Sequence, residues 1–318
     1  MSARVAISLD DLILLKAEAR GFSFLTRQPL ASLLAGRHAS RLRGRGLDLE
    51  ELRPYAPGDD VRAMDWKATA RLRRPHVRVY TEERERPVLL VVDQRRPMFF
   101  GSRRAMKSVT AAQTAAVAAW RALAAGDRVG GIVFNEAEIA DLHPRRGQTQ
   151  VIRLLGQVAR FNQALASGNP ASGPVTLNHA LDAALRRANH DHLVVLISDL
   201  HGADETTQRL ATLLAEHNDL LVIGIYDPLG ACLQPLPGMF VDDGGESLAL
   251  PLDPGFPDAF QREFSRILDR WKAVFQALQV PVLPLSSAEP PADQLRALIG
   301  QPLRGANENP AFRFLRSP

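Results

Sequence analysis

A single cysteine, Cys232, stands among the 318 residues. It excludes an intramolecular disulfide and a cysteine-rich zinc module, and it suits a reducing compartment. No apolar run approaches the roughly 18 consecutive residues of a membrane-crossing helix. The N-terminal apolar stretch is broken by Asp10, Asp11, Lys16 and Glu18, unlike a secretory signal. The expectation is a cytoplasmic protein with no membrane span. Catalytic signatures are also missing. No G-x-G-x-x-G follows a strand-like run, and no G-x-S-x-G elbow occurs. The stretch from Gly101 to Ser108 approaches a phosphate-binding loop, but Met106 stands where a second glycine must let the backbone wrap phosphates. Cys232 has no partner pattern for nucleophilic chemistry. A non-enzymatic role is expected.

What is present is ordinary globular composition, 46% hydrophobic and 23% charged, enough for a full core without staples. The formal charge of +4 conceals an asymmetry. Up to Thr110 there are 22 basic and 13 acidic residues, a balance of +9; beyond it 17 and 22, a balance of −5. One reading is a nucleic-acid surface using Arg41, Arg43, Arg45, Arg73, Arg74 and Arg78. The favoured one is an ion-paired face, because Arg53, Asp59, Asp60, Arg62, Asp65, Lys67 and Arg71 alternate in sign. Asp59, Asp60, Asp65, Glu82 and Glu83 could also hold a divalent metal in a hydrolase, although the neighbouring arginines favour structural pairs.

Along the chain, Ser8 and Asp11 make a capping-box-like start to a helix over 8–19. The run Val88–Val92 followed by Asp93, and Leu193–Ile197 followed by Ser198 and Asp199, read as strands buried on both faces. Helical patterns cover 104–125, 149–161, 177–188, 205–217, 257–278 and 292–299. Strands are expected at 129–134 and 138–142, paired antiparallel, and at 220–226 and 280–283. A Gly/Pro/Ser/Asn loop spans 162–174, and short edge strands with turns fit 227–256. Strands alternating with helices imply a three-layer α/β domain. The expected organisation is a helical and basic extension over 1–86, the α/β domain over 87–301 and a loose tail over 302–318.

Open parallel sheets take ligands beyond the strand carboxyl ends. Asp93 and Asp199 sit at two such ends, and a hydroxyl from the Thr176 loop would complete an oxygen set suited to Mg²⁺. Equally, both aspartates could cap the segments that follow. His190-Asp191-His192, at a helix–strand loop, reads as surface rather than metal ligand.

Tyr55-Ala-Pro-Gly-Asp-Asp-Val-Arg62, with Asp65-Trp66, Ala70-Arg71 and Glu82-Glu83-Arg84, precedes the strand that ends in Asp93. Together with Lys107, Gly126-Asp127-Arg128-Val129-Gly130, Phe134 and Ile197-Ser198-Asp199, this pattern resembles the bacterial family called domain of unknown function 58. Those are von Willebrand factor A-like proteins associated with MoxR-type AAA+ ATPases. The resemblance implies a Rossmann-like, von Willebrand factor A-type domain with a charged N-terminal extension. It also implies a metal-ion-dependent adhesion site, in which Asp93 matches the first Asp of D-x-S-x-S, Thr176 the loop Thr and Asp199 the last Asp. The two serines fall on Arg95 and Pro97, which offer no hydroxyl, so the site is degenerate and weak binding of Mg²⁺ at most is expected.

Arg95 either folds back between Asp93 and Asp199, supplying the charge of the missing metal, or points into solvent. Within 55–71, Pro57-Gly58 forms a turn and Asp59 or Asp60 caps a short helix. Trp66 is expected to bury against the main domain. Tyr55, Gly58, Asp59, Asp60, Arg62, Asp65, Trp66 and Arg71 are then structural; the alternative is a docking surface. The family resemblance implies an adaptor that works with a MoxR-type ATPase on a client protein. Its partner rim would be Asp93, Arg95, Pro97, Thr176 and Asp199, with Arg95 able to accept a partner carboxylate.

Overall fold

The computed structural model describes residues 4–20, 47–56, 62, 64–82, 86–167, 173–230, 240–242, 247–249, 251, 253–262, 265, 266, 269 and 280–299. Two compact units emerge: residues 1–34 with 86–318, and residues 35–85.

The larger unit is built on β3 (Pro87–Asp93), whose residues from Val88 onward are all buried. A strand with no exposed face must lie inside a sheet covered on both sides. It pairs in parallel with β4 (Arg128–Phe134) and with β6 (Leu193–Ser198). The sheet continues through β7 (Asp219–Tyr226) to β10 (Val282–Ser286) on one side, and ends on the other with the antiparallel β5 (Ile139–Arg145). The order β10-β7-β6-β3-β4-β5 is that of a doubly wound α/β sheet. The chain runs outward from β3 to β4 in one direction and returns at β6 to go the other way, so the crevice above β3 and β6 is the topological switch point.

The pleat sends alternate residues to two cores. Val88, Leu90, Val92, Leu193, Val195 and Ile197 face the first; Leu89, Val91, Val194 and Leu196 face the second. Helices α3 (Lys107–Ala124) and α4 (Gln148–Ala166) cover the first face, together with a last helix, Pro291–Ile299. Helices α5 (Leu177–Arg187) and α6 (Glu205–His217) cover the second. Alanine dominates α3, and every residue from Ser108 to Trp120 is buried, because small side chains let neighbouring elements close in on all sides.

The helix anticipated near residue 8 is α1 (Leu9–Leu14), with the Ser8–Asp11 capping box in place. It belongs to the larger unit rather than to an extension. Ile7 and Leu12 enter the first core, and the Trp120 indole donates to the Leu12 carbonyl at 3.1 Å. Two other expectations shift. The helix at 149–161 runs on to Ala166. Among the described residues, the short strands near 240 pair with each other, β8 (Phe240–Asp242) with β9 (Ser247–Ala249). In 257–278, residues 256–262 are helical and much of the remainder lies outside the described residues, as does the tail over 302–318.

The smaller unit holds an antiparallel pair, β1 (Leu47–Pro54) with β2 (His76–Glu82), that was not anticipated. Its helix α2 (Trp66–Leu72) is capped by Asp65, whose side chain accepts from the Ala68 N–H at 2.9 Å. Asp65 therefore does the capping assigned to Asp59 or Asp60. Gly58, Asp59 and Asp60 lie outside the described residues. Trp66 stands exposed on the smaller unit.

Candidate functional site

Asp93 closes β3 at the switch point and is fully buried. Its two oxygens receive four donors. Oδ1 accepts from the Arg95 backbone N–H and from Arg95 Nε, each at 3.0 Å. Oδ2 accepts from Arg95 Nη2 at 2.8 Å and from the Ser198 hydroxyl at 2.7 Å. A carboxylate has about four lone-pair sites, so Asp93 is saturated.

Arg95 is itself 6% exposed, and its guanidinium lies 5.4 Å from the centroid of the Phe134 ring. The local chain turns it back: Arg95 is extended, and a 3-10 turn over Arg96–Met98, with Pro97 in its first turn, follows. Nη2 also donates to the His201 carbonyl at 3.0 Å, binding the β3 end to the loop after β6. Burial works against the charged guanidinium, but the hydrogen bonds and charge of Asp93, with the charges of Asp199 and Glu136, outweigh it. The group is held above the ordinary arginine value.

Asp199 follows β6 and is held elsewhere. Its Oδ2 accepts from Lys107 Nζ at 2.6 Å and its Oδ1 from the His201 N–H at 2.9 Å. Burial alone would raise this carboxyl; the Lys107 charge and hydrogen bond, the His201 N–H and the Arg95 charge bring it below the usual carboxylate value. Arg95 thus folds back as one reading had it, but onto Asp93 alone, while Lys107 takes Asp199. Thr176 is exposed and caps α5, its hydroxyl paired with His179 Nδ1 at 3.0 Å. It is not part of the aspartate cluster.

A divalent metal does not fit this arrangement. Asp93 has no free lone pair, Asp199 carries an ammonium, Thr176 points to His179, and Arg95 and Pro97 replace two hydroxyls. Bringing a second cation beside Arg95 adds repulsion at close range. No group of three or more His, Cys, Asp or Glu placed to hold a metal occurs among the described residues.

Other motifs resolve structurally. The loop that resembled a phosphate cradle closes on itself: a Cβ on Gly101 would meet the Ala105 carbonyl oxygen at 2.3 Å. Its lysine is Lys107, the one that holds Asp199. His190 Nδ1 pairs with Asp191 at 2.8 Å, and His192 Nδ1 meets the His190 carbonyl at 2.7 Å. Of the acidic cluster considered for hydrolysis, Asp65 is occupied as a helix cap, and Asp59, Asp60 and Glu83 lie outside the described residues. So do Arg41, Arg43, Arg45 and Cys232.

Sequence reasoning placed Asp93, Arg95 and Asp199 at the crevice and missed Lys107, Ser198 and His201 as their partners. Ser198 had a readable signal in standing next to Asp199 at a strand end. A third strand-end carboxylate, Asp227 after β7, was also overlooked. It receives the Ser102 N–H and hydroxyl, the Ser287 hydroxyl and the Leu229 N–H, and so anchors the loop before α3 across the carboxyl edge.

With this geometry in place, the chain can be set beside known proteins. It belongs to the family described as protein of unknown function DUF58, which matches over residues 51–263. An uncharacterized protein of Mycobacterium tuberculosis is 31% identical over 250 residues, covering 78% of this chain and 77% of the relative. An uncharacterized protein of Mycobacterium bovis matches to the same extent. Among solved structures, the conserved hypothetical protein BatB from Bacteroides thetaiotaomicron gives a TM-score of 0.36 at 14% identity, over 60% of this chain and 97% of that one. The manganese-loaded TRAP protein of Plasmodium vivax gives 0.30 at 13%, over 62% and 74%. No helix among the described residues is long and apolar enough to cross a membrane.

Proposed function

We propose that this DUF58 protein is a non-enzymatic interaction protein, an adaptor that works with a MoxR-type AAA+ ATPase in assembling or remodelling a client complex. The observation that carries the interaction reading is the buried Asp93–Arg95 pair at the switch point. In an open α/β sheet that crevice is where a ligand is received, and here its charged groups are fixed against one another in the manner of a recognition surface. The partner rim comprises Asp93, Arg95, Pro97 and Asp199, with Thr176 at the start of α5. The ATPase part of the reading rests on the family resemblance of the Tyr55–Trp66 segment and the strand-end motifs. The proposed location is the cytoplasm, supported by the single cysteine and the charged N-terminal stretch.

The test is reconstitution of the purified full chain with the MoxR-type ATPase of its own organism, followed by size-exclusion chromatography with and without ATP. A co-eluting complex, with a change in ATPase rate on adding the chain, is the expected result. Separate elution in every nucleotide state, with an unchanged rate, overturns the ATPase partnership.

A further inference from the structure

We infer that the outward face of α2 and the loop after it bind single-stranded nucleic acid, with Trp66 stacked on a base and Lys67, Arg71, Arg73 and Arg74 on its phosphates. The site lies on the smaller unit and goes beyond the adaptor reading. From Arg62 to Arg78 the chain has six Lys or Arg residues and one acid, Asp65. That carboxylate is 8% exposed and is engaged as the cap of α2, where it accepts from the Ala68 N–H. The ion-paired face suggested by the alternating charges is not formed by these cations. The side chains of Lys67, Arg71, Arg73 and Arg74 are exposed and pair with no described residue.

One of them is kept at a conformational cost. Arg73 closes α2 in the left-handed region, at φ 53° and ψ 24°, where glycine is the usual residue. A strained backbone beneath an exposed, unpaired charge points to a use for that charge. The loop is also fixed before a ligand arrives. Thr69 Oγ1 accepts from the His76 N–H at 3.0 Å, and the His76 carbonyl accepts from the Asp65 N–H at 2.9 Å. The Pro75 carbonyl accepts from the Tyr55 N–H at 2.9 Å. Little backbone entropy remains to be lost on binding.

The ring selects the ligand. Trp66 is 69% exposed, and at 3.6 residues per turn Ala70, Lys67 and Arg71 fall within about 140° of arc from it. A flat indole beside cations is the combination that holds an unstacked base together with its backbone. Duplex bases are stacked on one another and offer it no face. An anionic bilayer fits less well, because it needs a continuous apolar stripe. Leu72, the other large exposed apolar residue of α2, lies about 120° around the helix from Trp66, with Thr69 between them.

The experiment is fluorescence anisotropy of a labelled oligothymidylate titrated with the full chain over a range of NaCl concentrations. Duplex DNA of the same length, polyglutamate and phosphatidylglycerol vesicles are the comparison ligands. Four phosphate contacts predict a slope of log affinity against log salt of about −2.8, at roughly −0.7 per contact. Trp66→Ala is expected to weaken binding at least about fivefold with that slope unchanged. Arg73→Gly relieves the left-handed backbone, so it is expected to keep the thermal midpoint at or above that of wild type while making the slope shallower by about 0.7. No saturable binding, a preference for the duplex, polyglutamate or the vesicles, or full affinity in Trp66→Ala overturns the site. No ATPase is present, so neither result bears on the proposed ATPase partnership.

Discussion

Asp93 and Arg95 are two residues apart in a buried strand end, and neither can be changed alone without leaving the other uncompensated. Breaking a buried pair by removing one partner costs about 3–5 kcal/mol, largely the desolvation of the orphaned charge. Arg95→Met is therefore expected to lower the urea midpoint severely, and Asp93→Asn with Arg95→Met to recover part of the loss. A single variant as stable as wild type contradicts the pairing.

At Asp199 the argument concerns pH. Its carboxyl titrates lower in the folded chain than in the unfolded one. The folded state thus binds fewer protons as pH falls below about 4. The stabilisation is fully present above that value and is lost as pH drops through the folded value. Urea midpoints measured from pH 7 to pH 2 are expected to fall on the acid side in wild type, and less steeply in Asp199→Asn. Equal slopes contradict the account.

Asp93, Asp199 and Arg95 were legible because strand ends next to all-apolar runs can be read locally. Lys107 was not tied to Asp199 because its partner lies 92 residues away and only the sheet order brings them together.

Elements carry their own constraint where β5 pairs with β4. The register shifts between Val129 and Gly131, opposite 142–145, so that Gly130 is pressed against the β5 backbone. A Cβ there would meet the Leu142 carbonyl oxygen and the Pro144 nitrogen, both at 2.5 Å. Gly130→Ala is expected to destabilise by about 1–3 kcal/mol, as overpacking does, read from the urea midpoint. A neutral substitution shows that the strands can separate without cost. The buried strands β3 and β6 were legible from unbroken apolar runs. β1 and β2 were passed over, although Leu47-Asp-Leu-Glu and Val77-Arg-Val have the period of a half-exposed strand. Charges at every second position read equally well as a loop until the pairing partner is known. The cap of α2 was misplaced because Asp59, Asp60 and Asp65 are all competent N-caps, and only the fold selects the one directly before Trp66.

For the whole molecule, the alternation of strands and helices predicted the layered α/β unit, but not that residues 4–20 fold onto it. That docking depends on Ile7 and Leu12 meeting a groove formed by distant helices. A buried network fixes the same segment: Asn162 accepts from the Ile7 N–H and donates to Gln94, the residue between Asp93 and Arg95. The N-terminal strap and the crevice are therefore joined by one buried hydrogen-bond network, and the central claim about the crevice is electrostatic. The crevice has its cations built in and has no place for another. Isothermal titration of the full chain with Mg²⁺ and with Mn²⁺ tests this most directly. The account predicts no saturable heat into the millimolar range; a dissociation constant of tens of micromolar or tighter for either ion contradicts it.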